Sequence, residues 1–123
     1  MVSMGERNLQ VIKVWAALVW ADGLVAKKEG DALRRLIDTL ELTDSERALA
    51  EGFLDAEVTA EGTGLSEIAM AEREGIYRAA LKLAAIDDDF ADQEIDFLGR
   101  LRKWLALDDR QAEAIEDAVA HER

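Results

Sequence analysis

The chain has 123 residues, half of them hydrophobic and 34% charged, with no proline and no cysteine. That length suits one domain able to bury roughly two-thirds of its unfolded surface. The hydrophobic share excludes a disordered chain, the missing cysteines exclude disulfides and thiol chemistry, and a net charge of −12 disfavours nucleic acid and anionic membranes while favouring basic partners or cations.

Without proline nothing forces a helix to break. The first helix is expected from about Glu6 to Ala21. Its apolar residues, among them Leu9, Ile12, Val14, Trp15, Leu18 and Trp20, go nearly all round, as in a buried central helix. A short acidic loop, Asp22 to Glu29, follows, with Gly23 placed to take a positive φ. A second helix, about Lys27 to Leu40, is amphipathic through Leu33, Leu36, Ile37 and Leu40. Thr43 and Glu46 have the spacing of a capping box that opens a third helix near Asp44, burying Ala50, Phe53 and Leu49.

Residues 57–64, rich in glycine and small polar side chains, read as a connector. Ser66 is placed to cap a helix carrying Leu65, Ile68 and Ala69, with Gly75 interrupting it before a second central helix, Ile76 to Ile86. After the second acidic loop comes a helix burying Phe97, Leu98, Leu101, Trp104 and Leu105. Asp108 and Gln111 repeat the capping-box spacing and open a last helix with Ala112, Ile115 and Val119. The expectation is an all-α, single-domain bundle of about seven helices spanning residues 1–123, with related halves at about 6–57 and 66–121.

The halves are related by an offset of 65 residues. When Val14–Arg47 is set against Ala79–Ala112, eleven of the 34 positions agree, and the informative matches are polar: Asp22/Asp87, Glu29/Glu94, Asp31/Asp96 and Arg35/Arg100. Leucines recur in any pair of amphipathic helices; these charged residues do not. The pattern is an internal duplication with a pseudo-two-fold arrangement.

Two readings of the duplicated acids stay open. In one, each loop is a tight turn pinned by carboxylates. Glu29 and Glu94 sit about three residues into their helices, where they complement the helix dipole and bond the N-cap backbone. In the other, the loops hold a divalent cation, since Ca²⁺ and Mg²⁺ take several oxygen ligands. Candidate ligands are Asp22 and Glu29 in the first loop and Asp87, Asp88, Asp89, Asp92 and Glu94 in the second, which is the richer in acid. The spacing is not that of an EF-hand, because Ala91 and Leu98 occupy its fifth and twelfth positions. Asp31 with Arg35, and Asp96 with Arg100, have i,i+4 salt-bridge spacing. Arg34, Arg35, Arg100, Arg102 and Lys103 are alternatively a basic patch for an anionic partner.

No enzyme is legible. The one histidine, His121, is the third residue from the chain end, and neither a Glu-x-x-His bundle motif nor an acyl-transfer constellation is present. A metal-assisted hydrolase would need a positioned base that the loops do not offer. The longest apolar run, Val14 to Ala21, is far shorter than a membrane span. The start has no signal-peptide pattern. The expectation is a soluble, cytoplasmic protein without direct membrane insertion.

Ala21-Asp22-Gly23 with Val25 and Glu29, then Leu40-Glu41-Leu42-Thr43, and their recurrence as Asp87 to Glu94 and Leu105-Ala106-Leu107-Asp108, resemble the TerB-like family of tellurite-resistance proteins. The resemblance covers the chain from about Leu9 to Ala118. It implies an all-helical pseudo-symmetric fold and a bacterial, cytoplasmic stress-response role, with other stress and tellurite-resistance proteins as partners. It also implies that Asp22, Glu29, Asp87 and Glu94 are the acidic loop positions. Asp88 stands where the family often has glycine, and Ala26 and Ala91 stand at the caps. The overall expectation is a non-enzymatic acidic module that acts through protein contacts and weak divalent-cation binding. The alternative is a structural interaction domain whose acids only cap helices and pin turns.

Overall fold

The computed structural model describes residues 4–21, 23, 25, 27–60, 64–86 and 92–121. In chain order its helices are α1 (Met4–Val19), α2 (Lys27–Asp38), α3 (Asp44–Gly52), α4 (Met70–Ala84), α5 (Asp92–Trp104) and α6 (Asp109–His121). A single 3-10 turn, Leu65–Glu67, precedes α4. Among the described residues there is no strand, and no helix is long and apolar enough to cross a membrane.

Two helices carry the rest. α1 meets α2, α3, α4 and α5, and α4 meets α1, α2, α5 and α6. Both are central because they are apolar on more than one side. α1 buries Val11, Ile12, Val14, Trp15, Ala16, Leu18 and Val19, so no side of its later turns faces water. α4 buries Ile76, Tyr77, Ala80, Leu81, Leu83 and Ala84. The outer helices are one-sided: α2 buries Leu33 and Ile37 while Lys27, Lys28, Arg34 and Arg35 stay exposed. Fully burying a leucine or isoleucine side chain contributes about 1.5–3 kcal/mol, so the two central helices account for much of the driving force. The Trp15 indole N–H also donates to the Ile76 carbonyl at 3.1 Å, which ties α1 to α4 inside the core.

The starts of α3 and α6 form as their sequences predict. Thr43 Oγ accepts from the Glu46 N–H at 3.2 Å, and Glu46 Oε1 accepts from the Thr43 N–H at 2.9 Å, completing the capping box of α3. Asp108 and Gln111 make the same reciprocal pair before α6, at 2.8 and 3.0 Å. α5 closes with a Schellman pattern: the Leu107 N–H reaches the Arg102 carbonyl and the Ala106 N–H reaches the Lys103 carbonyl. Ala106 takes φ +55 there, a conformation usually given to glycine.

Several expectations need correction. The described residues hold six α-helices and one 3-10 turn rather than about seven helices. Ser66 opens no α-helix. Gly75 interrupts nothing, and α4 runs through it unbroken. One glycine costs an α-helix only about 1 kcal/mol, less than the burial gained by Ile76, Tyr77, Ala80 and Leu81, which follow it in α4. Leu49 is not core but 59% exposed, and Phe53 lies beyond the last turn of α3, where it is half-buried.

The boundaries recur at the offset seen in the sequence. α1 and α4 end at Val19 and Ala84, α2 and α5 begin at Lys27 and Asp92, and α3 and α6 begin at Asp44 and Asp109, each pair 65 residues apart (84 − 19, 92 − 27, 109 − 44).

Candidate functional site

Glu29 and Glu94 are the only charged residues in the described core, at 6% and 5% exposure. Each is the third residue of its helix, α2 or α5. A carboxylate in the first turn faces the partial positive charge of the unpaired helix N–H groups. That position makes a buried acid tolerable where a mid-helix one would be costly. The Oε2 atom of each is enclosed without a hydrogen bond, while both carboxylates are engaged by other groups of the chain.

Of the other proposed ligands, Asp92 opens α5 with an exposed side chain. Asp22, Asp87, Asp88 and Asp89 lie outside the described residues, as do Ala26 and Ala91. Gly23 has φ +85, as the first loop requires, and its N–H closes onto the Trp20 carbonyl at 2.7 Å. Among the described residues no three acidic or histidine side chains converge as metal ligands. Glu94 with the exposed Asp92 supplies fewer oxygens than a hard cation takes, so a cation site would depend on the loop aspartates.

The arginines separate. Asp31 pairs with Arg34 at 3.4 Å, not with Arg35. Arg100 lies over the Phe97 ring, 5.5 Å from its centre, and Phe97 meets Trp104 edge to face. Arg102 is tied to Asp109. The five basic residues are thus divided between α2 and α5, and Arg34, Arg100 and Arg102 each have a different partner.

Three features escaped the sequence. Arg73 on α4 donates from Nε to the Ile68 carbonyl at 2.7 Å and from Nη1 to the Leu105 carbonyl at 2.8 Å, clamping the end of the 3-10 turn and the end of α5 to α4. The buried Tyr77 hydroxyl donates to Glu116 Oε2 at 2.6 Å. Burial, and then the Glu116 carboxylate, hold the phenol well above its ordinary range, with Arg102 partly opposing them.

The third feature is an apolar groove. α1, α2 and α4 leave an open hollow of about 560 Å³ floored by Val11, Trp15, Ile68 and Ile76. It continues between α2 and α4 into a second hollow of about 360 Å³. Leu36, Thr39, Gly75 and Ala79 line both. Gly75 is the one signal in the sequence: a glycine inside an otherwise helical segment often has a packing or functional reason.

No protein-family model, no curated protein and no solved structure matches the chain.

Proposed function

We propose that the protein is a non-enzymatic, acidic helical module of the TerB-like kind, working through protein contacts in a bacterial stress or tellurite response. The observation that carries this reading is the equivalent placement of Glu29 and Glu94: the same helical position, 65 residues apart, and nearly the same burial. Duplicated halves that repeat an acidic loop ending in a glutamate, Asp22 to Glu29 and Asp87 to Glu94, are the pattern on which the resemblance rests. The second loop adds Asp87, Asp88 and Asp89 to Glu94, so a weak Ca²⁺ or Mg²⁺ site belongs there, with affinity of roughly 10⁻⁴–10⁻³ M.

Titration of the labelled protein with CaCl₂ and MgCl₂, followed by amide NMR, tests the cation part. Signals of Asp92 and Glu94 should move at millimolar metal, and Glu94→Gln should abolish the movement. Unmoved signals, or equal movement in the variant, would remove the site.

A second reading keeps the fold and drops the cation: the acids pin the turns of a structural interaction domain. It is favoured by the interactions that Glu29 and Glu94 already make within the chain. It expects Glu29→Gln and Glu94→Gln each to cost about 0.5–2 kcal/mol, as lost helix-start interactions do, with no dependence on metal.

A further inference from the structure

We propose that the groove between α2 and α4 is a docking site for an acidic amphipathic helix of a partner protein. The inference rests on the protein-contact reading above and names its surface and the chemistry of its partner.

The groove is apolar along its floor and open to solvent along its length. Its α4 side runs from Glu72 to Leu83. At 1.5 Å per residue that is about 16 Å, or three helical turns. This is the span over which a helix presents apolar anchors at i, i+3 or i+4, and i+7. Small residues make the room: Gly75 has nothing within 4 Å of where a Cβ would stand, and Ala32 and Ala79 keep the facing walls low. An acyl chain would be poorly served, since small-molecule sites enclose most of their ligand.

Charge selects the occupant. The protein has 27 acidic residues against 15 basic ones, yet the α2–α4 end of the groove is rimmed by Arg35, Arg78 and Lys82 and by no acid, while its α1 end sets Arg7 beside Glu41 and Glu72. Arg35 and Arg78 are exposed on facing helices. An apolar stripe flanked by glutamates or aspartates would bury its stripe and set its carboxylates against these guanidinium groups. A basic helix would be drawn to most of this molecule's surface but repelled at this rim. A second copy of the chain would bring another net charge of −12 to a surface already negative overall.

The experiment uses the full chain and two synthetic amphipathic peptides of about 16 residues. They share one leucine stripe; one carries flanking glutamates and the other lysines. The glutamate peptide should shift the amide signals of Ala32, Arg35, Gly75 and Ala79. Arg35→Glu with Arg78→Glu should weaken it tenfold or more. Gly75→Leu should block the groove with an equal loss while leaving the protein at least as heat-stable as its parent, which separates blocked docking from misfolding. Preference of the groove for the lysine peptide, or indifference to charge reversal and to Gly75→Leu, overturns the proposal. So does a concentration-dependent dimer that shifts the same signals in sedimentation and NMR, because the occupant is then a second copy. Binding at another face with the groove silent overturns the groove but leaves the protein-contact reading standing. Absence of peptide binding on every face counts against both.

Discussion

Replacing Arg73 by methionine keeps an apolar stem of similar length and removes the guanidinium. Two carbonyls lose their donors: Ile68 just after the 3-10 turn and Leu105 at the end of α5. A hydrogen bond to a charged group contributes about 1.5–3 kcal/mol net. Two such bonds at a half-buried position, with some replacement by water, put the loss at about 3 kcal/mol. For a domain of this size that lowers Tm by about 10 °C. Arg73→Lys places one compact ammonium where a planar fork had reached two acceptors, and should recover about half of the loss. Urea and thermal unfolding followed by circular dichroism measure both variants. Arg73→Met within about 0.5 kcal/mol of the parent, the usual range for an inconsequential surface change, would refute the clamp. So would Arg73→Lys equal to the parent. A further consequence concerns the groove, because Ile68 is part of its floor: hydrogen exchange should quicken at Leu65 and Ile68 in Arg73→Met before it does in α1.

Other expectations follow from single contacts. Gly75→Ala should raise stability by about 0.8–1 kcal/mol, since the new methyl meets open space in the interior of α4; a loss of stability in urea unfolding would mean that the groove is closed in solution. Ala106→Gly should gain about 0.5 kcal/mol at φ +55, the relief of left-handed strain offset in part by a freer unfolded chain; calorimetry reads the sign. Thr43→Ala should cost about 1 kcal/mol by opening the α3 capping box, with greater fraying of α3 in amide exchange as the marker. Tyr77 is the only tyrosine, so phenolate absorbance reports it alone. Its phenol is raised in the folded state. Its contribution to stability is therefore complete below the unfolded value of about 10 and is lost as pH rises from there toward the folded value. Urea midpoints should fall more steeply above pH of about 10 in the parent than in Tyr77→Phe, and phenolate growth near pH 10 with helicity intact would contradict the burial argument.

Helix type, most helix starts and much of the core were legible because they depend on local chemistry. Apolar periodicity placed Leu18, Leu33, Leu101 and Ile115 in the core, and the Thr43–Glu46 and Asp108–Gln111 spacings placed the starts of α3 and α6. The offset of 65 residues, read from charged matches, recurs in three pairs of helix boundaries. Errors arose where a local signal lost to packing. Gly75 reads as a break by propensity, but the residues that follow it, Ile76, Tyr77, Ala80 and Leu81, are buried, and α4 runs through it. Leu49 fits an apolar spacing, yet α3 is short and turns that side to water. Asp31 had two arginines within reach along α2, and side-chain direction decided for Arg34.

For the candidate site the division is sharper. The sequence by itself determined that Glu29 and Glu94 are equivalent and stand near helix starts, because a repeat and a first-turn acid are both visible in one dimension. Only the tertiary structure decided that they are buried, since burial depends on which helices cover a position. The groove, the Arg73 clamp and the Tyr77–Glu116 bond likewise belong to the tertiary structure alone. Each joins residues far apart in the chain, and such pairings are set by how α1, α2, α4, α5 and α6 pack rather than by the composition of any one of them.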